Sequence, residues 1–159
     1  MIDKIDRLII NYLVRDGRMS GQKIAQELDL PERTVRNRIA RLIADEIITV
    51  SAIINKRAIG YGVTADIFCQ AEPGRVSEIA SQITALPEVG YVATTLGEQD
   101  ISLQVFCSSN KELFDFLEQK LAHIPGILRT RTAIVTEIVK SVWKWEIPIQ
   151  TEEDKQPAP

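Results

Sequence analysis

The chain has 159 residues, 45% of them apolar, 26% charged and 6% aromatic, which suffices for one moderate core or two small ones and excludes a disordered polymer. No apolar run approaches the roughly 18 residues of a membrane span, and the charged opening Met1-Ile2-Asp3-Lys4-Ile5-Asp6 is unlike a signal peptide, so a cytoplasmic protein without a membrane partner is expected. The net charge of −3 conceals an asymmetry: residues 1–60 hold 11 Lys+Arg against 8 Asp+Glu, residues 61–159 hold 8 against 14, as when a polyanion-binding module is joined to a module of another kind.

Residues 3–16 set Ile5, Leu8, Ile9, Tyr12 and Leu13 on one stripe, which predicts an amphipathic helix closed by Asp16-Gly17. Ser20 caps a short second helix through Ile24, Ala25 and Leu28, and Asp29-Leu30-Pro31 leads into a third. Pro31 and Glu32 open that helix, which runs to about Ala44. Three short helices with a tight turn between the last two predict a helix-turn-helix, and the β-branched run 47–54 predicts a strand, hence a winged variant. The DNA-binding domain is thus placed at 1–54, with a linker at 55–62 where Gly60 and Gly62 flank Tyr61.

Beyond the linker, strands are predicted at 63–72, 89–96, 100–107 and 127–139, and helices at 76–86 and 111–124. This βαββαβ order predicts a ferredoxin-like domain over 63–150 and an α+β fold for the whole. The polar tail 151–159 reads as disordered. Cys69 and Cys107 each lie in an apolar stretch without a Cys-x-x-Cys partner, and His123 is the single histidine. The cysteines therefore read as core residues and His123 as a surface or capping residue, and no metal, cofactor or catalytic constellation is expected.

On the third helix, Val35, Ile39, Leu42 and Ile43 share the face that must pack inward. Arg33, Thr34, Asn37 and Arg41 lie opposite, with Arg36 and Arg38 on the flanks. Arginine forks suit phosphates and guanine edges and asparagine suits adenine, so this helix is expected to read double-stranded DNA. The competing reading, a solvated face of paired charges, calls for interspersed acids, and between Arg33 and Ala44 the sequence has none.

These residues resemble the Lrp/AsnC family, the leucine-responsive or feast/famine transcription regulators, over residues 3–147. The carrying segments are Asp3-Lys-Ile-Asp-Arg with Asp16-Gly17-Arg18, the helix from Arg33 to Ile39 with Arg41-Leu42, and Gly97-Glu98-Gln99-Asp100 with Thr130-Arg131-Thr132. The resemblance implies a winged helix-turn-helix, a regulatory RAM domain of ferredoxin-like, ACT-like form that often binds amino acids, and dimers that assemble further, frequently into octamers. Two positions depart from the family pattern: Glu46 stands where a glycine usually precedes the wing, and Gln99 where an aromatic often precedes the effector-loop aspartate.

In the second domain, alternation puts Ile67, Cys69, Leu103 and Val105 toward the helices and Phe68 and Phe106 on the uncovered sheet face. That face is expected to meet a second copy, or to be covered by the segment Trp143–Ile149; Trp143 and Trp145 read as packing residues. Residues Gly97, Glu98, Gln99 and Asp100 form either a plain hairpin turn or an effector site. In the latter, backbone N–H groups meet the carboxylate of an amino acid and Asp100 its ammonium, with Thr130 and Thr132 lining the same junction. The expected function is an effector-tuned transcription regulator. Its rivals are an effector-independent architectural DNA-binding protein and an enzyme like the siroheme decarboxylases, which resemble these regulators in architecture.

Overall fold

The computed structural model describes residues 2–149, so the expectation for the tail 151–159 lies outside the described residues. The chain divides into two compact units. One comprises the chain up to Ile53 together with the described residues from Val139 onward, and the other is Ile54–Ile138.

The first unit is built on α1 (Lys4–Arg15), α2 (Gly21–Leu28) and α3 (Glu32–Ala44). Asp3 and Asp6 form a reciprocal capping box that starts α1, which satisfies two of the helix's orphan donors. Ser20 caps α2 as expected, its hydroxyl accepting from the Lys23 N–H. Asp29 then takes the left-handed conformation (φ 53), tolerated by aspartate better than by most side chains, and so makes the turn tight. Ile9, Ile10, Ile24, Ala25, Val35 and Leu42 form the core. Ile39 is partly buried, whereas Ile43 is 46% exposed, so the inward face of α3 is narrower than expected.

The N–H groups of Ile47 and Ile48 both bond to the Leu42 carbonyl, and Glu46 between them and α3 sits at φ 56, in the left-handed region that glycine favours. The strand expected at 47–54 does not form: no described segment pairs with these residues, and Val50, Ile53 and Ile54 are exposed. β-Branched sequence makes a strand only where a partner supplies the other half of the ladder.

The chain beyond Val139 also departs from expectation. It returns to α1, with Ile147 packed against the helical core and held at both backbone groups by the Asn11 side chain, at 2.9 and 2.8 Å. Glu146 takes both hydrogen bonds of Arg15, at 2.9 and 2.7 Å. Residues 139–149 therefore group with the first unit rather than with a domain ending at 150, and the segment Trp143–Ile149, expected over the sheet, packs through Ile147 on the helical core. Trp143 and Trp145 are exposed rather than packed.

The second unit opens with a 3-10 turn, Arg57–Ile59, and has the expected element order: β1 (Val63–Ala71), α4 (Val76–Thr84), β2 (Val89–Thr94), β3 (Ile101–Cys107), α5 (Asn110–Asp115) and β4 (Ile127–Ile134). The antiparallel sheet runs β2-β3-β1-β4, which places β1 and β3 centrally as expected. Inward residues of these strands pack with Ile79, Ile83, Leu113, Phe116 and Leu121. The helix expected at 111–124 is regular only through Asp115 and continues as a π turn, Phe116–Lys120, and a 3-10 turn, Leu121–His123, where His123 is exposed. Cys69 and Cys107 are buried free thiols of the core, and burial pushes both up to about 11.

Candidate nucleic-acid interface and effector loop

The α2–α3 turn sets the start of α3 so that Arg33, Arg36 and Asn37 are exposed and Thr34 partly so. Arg36 reaches Glu32 at 2.6 Å, one helical turn back; such exposed pairs hold loosely. Its stem runs over Gly21, where a Cβ would come within 3.0 Å of Arg36 Cγ.

Arg38 and Arg41 are placed differently. Asp6, only 1% exposed, accepts from Arg38 Nη1 at 2.8 Å on one oxygen and from Arg41 Nη2 at 2.6 Å on the other. Arg38 Nη1 also reaches Asp3 at 2.7 Å. Burial alone would push the Asp6 carboxyl up; the hydrogen bonds from Arg41, the Asp3 backbone and Arg38 outweigh it and bring it down to about 2. The Asp6 N–H bond and the Arg38 guanidinium hold Asp3 below its usual range too, and the same two carboxylates raise Arg38. Paired acids are thus present, but they come from the start of α1 and from Glu32, outside the stretch Arg33 to Ala44. No local pattern marks Asp6, whose arginine partners are more than thirty positions away.

In the sheet unit, the loop between β2 and β3 is closed by Thr95 and Asp100, the Thr95 N–H donating to the Asp100 carbonyl at 2.9 Å. The Asp100 N–H bonds to the Cys69 carbonyl, and its carboxylate accepts from the Ala71 N–H at 2.8 Å. The carboxylate therefore also fastens the end of β1. Gln70 Nε2 donates to the Glu98 carbonyl at 3.0 Å, and the Thr95 hydroxyl to that of Gln99. Gly97 has φ 141 with open space around it. Among the described residues, the N–H groups of Leu96, Gly97, Glu98 and Gln99 have no hydrogen-bond acceptor. Thr130 and Thr132 share one face of β4 and are exposed; Thr130 lies level with Cys69, one strand across from Asp100.

The open sheet face carries Phe68 opposite Ser102 and Arg131, and Phe106 opposite Thr64. Both rings are half-buried. Phe106 lies over Gly90, where a Cβ would come 2.1 Å from its ring, and Lys56 Nζ sits 3.9 Å from the ring centroid, a cation–π contact. Phe106 is therefore partly covered by its own chain. β4 is exposed along nearly its whole length, and none of the described helices is long and apolar enough to cross a membrane.

Two family models match the chain: the AsnC-type helix-turn-helix domain over residues 2–43 and the Lrp/AsnC ligand binding domain over residues 64–142. An uncharacterised HTH-type transcriptional regulator of Pyrococcus abyssi is 39% identical over 140 residues, 87% of this chain and 89% of that one. Among solved structures, Escherichia coli AsnC superposes with a TM-score of 0.81 at 25% identity, over 90% of this chain and 99% of that chain. A Neisseria meningitidis transcriptional regulator solved with L-Met shares the fold at a TM-score of 0.85 and 21% identity, over 93% and 97% of the two chains.

Proposed function

The chain belongs to the Lrp/AsnC family of DNA-binding transcriptional regulators, and from that premise we propose that its hold on DNA is tuned by a small zwitterionic effector, an amino acid, through assembly of copies of the chain. Arg33, Thr34, Arg36 and Asn37 meet the major groove, with Arg36 exchanging Glu32 for a phosphate. The observation that carries this reading is the start of α3, where these donors stand exposed just after a tight turn, the geometry that lets a recognition helix enter the groove. The protein acts in the cytoplasm and has no catalytic role.

The effector site is the loop Gly97–Asp100. Its unengaged N–H groups suit a carboxylate and Asp100 an ammonium, and the matched family model is described as a ligand binding domain. A second copy meets the open face at Phe68 and Phe106, while Thr130 and Thr132, level with Cys69 and Ile67 on the other side of edge strand β4, line a junction along that edge; further pairing of dimers gives a higher even oligomer such as an octamer.

The test is calorimetry of the twenty amino acids against wild type and Asp100→Asn, an exchange that keeps an oxygen for the Ala71 N–H and removes the charge. DNA titrations with and without the bound amino acid accompany it. We expect binding by wild type, at least a tenfold loss in the variant, and a change in DNA affinity of about 5- to 150-fold on saturation, as in other allosteric couplings. Binding of no amino acid leaves the architectural, effector-independent reading in its place.

A further inference from the structure

We propose that Asp6 is a positioning residue for DNA recognition, fixing α3 against α1 through Arg38 and Arg41 and keeping both arginines off the DNA phosphates. Three observations carry this. First, the Asp6 carboxylate is sealed from water, at 1% exposure, so its charge must be met by protein donors. Both oxygens are taken: one by Arg38, the other by Arg41 and the Asp3 N–H. Second, the geometry is a ladder. Asp3, the cap of α1, and Asp6 are one turn apart, Arg38 and Arg41 are one turn apart on α3, and Arg38 bridges both acids. Such a ladder resists both sliding and rolling of α3. The core stripe of Val35 and Leu42 holds one side of the helix, and the arginines add a second line of attachment beside it. Third, the two arginines are less available than their charge suggests. The Arg38 side chain is 25% exposed and the Arg41 side chain 44% exposed, and turning either toward a phosphate strips a donor from a buried carboxylate. The reading surface is thereby confined to the first turns of α3.

This inference rests on the DNA-binding reading and separates from it in its test. A duplex selected by the full wild-type chain from a random pool, and a scrambled duplex of the same composition, are titrated over a range of salt with wild type, Asp6→Asn, Arg38→Ala and Arg36→Ala. In Asp6→Asn the buried charge that draws both guanidiniums is gone, so Arg41 is released and Arg38 keeps only its bond to Asp3. The selected-to-scrambled affinity ratio should fall at least tenfold, while the salt dependence steepens by up to about 0.9 for each new phosphate contact. A variant that is merely less folded loses affinity for both duplexes without a steeper slope. Arg36→Ala should flatten the slope by about 0.9, whereas Arg38→Ala should leave it at the wild-type value; this comparison decides the matter even if Asp6→Asn does not fold. The proposal is overturned if Asp6→Asn keeps both ratio and slope, or if Arg38→Ala flattens the slope as Arg36→Ala does. If wild type selects no duplex at all, the DNA reading falls and takes the proposal with it.

Discussion

Asp6 ties acid stability to the DNA-binding unit. In the unfolded chain it titrates near 3.8, and in the folded chain near 2. Between these values the unfolded state takes up the proton first, so stability falls as pH falls. The contribution is complete above about pH 5 and lost below about pH 2, and it amounts to about 2 kcal/mol. Urea unfolding at pH 7, 4 and 3 should show wild type losing about 1 kcal/mol more than Asp6→Asn by pH 3, roughly half of the full contribution, since the Asn side chain has no proton to gain; parallel profiles would contradict it. Glu46 is the converse case, a residue whose cost is in the backbone. At φ 56 it keeps a left-handed turn without a glycine, at about 1 kcal/mol.

At the scale of elements, α1 serves three partners. Ile9 and Ile10 face the core, Asp3 and Asp6 face α3, and Asn11 and Arg15 face the returning segment at Glu146 and Ile147. Asn11 is nearly buried and mimics a strand partner, donating to the Ile147 carbonyl and accepting from its N–H. Asn11→Ala removes both bonds and leaves two backbone groups unmet, which should cost about 1–3 kcal/mol. Arg15→Ala, on an exposed pair, should cost less than about 1 kcal/mol. Trypsin, which cuts after lysine, should cleave at Lys140 or Lys144 sooner in Asn11→Ala than in wild type. Equal cleavage and equal stability would show that the segment is held by other contacts.

At the scale of the whole molecule, the helical unit is made from both ends of the chain, and the sheet unit Ile54–Ile138 is inserted between them. The two units are therefore joined by two covalent connections. If the open face meets a second copy, Phe106→Asp puts a charge into a desolvated contact. Lys56, already over the ring, gives that charge a local partner, so the single chain should stay folded. Sedimentation velocity should then report a smaller species. Binding to a pair of half-sites about 34 Å apart should weaken, because two recognition helices must be linked to read both. An unchanged sedimentation profile would reject this face as the interface.

Local chemistry made most of the architecture legible in advance. The α1 stripe, the Ser20 cap, the turn before Pro31, the alternation through Ile101, Leu103 and Val105, and the βαββαβ order all depend on residues within one turn or one strand of each other. The sequence by itself therefore determined the two kinds of domain, the central place of β1 and β3, and the burial of Cys69 and Cys107. It also determined which residues opening α3 stand exposed. What only the tertiary structure decided involves partners far apart in the chain. The run 47–54 has strand composition but, among the described residues, no strand to pair with. The Ile147 segment docks on Asn11 across 136 positions, a pairing that no local pattern announces. For Arg38 and Arg41, helical periodicity gives the side chain's direction and says nothing of what stands opposite. Only the packing of α1 beside α3 set a buried carboxylate there, and a buried charge takes the nearest donors that water cannot replace.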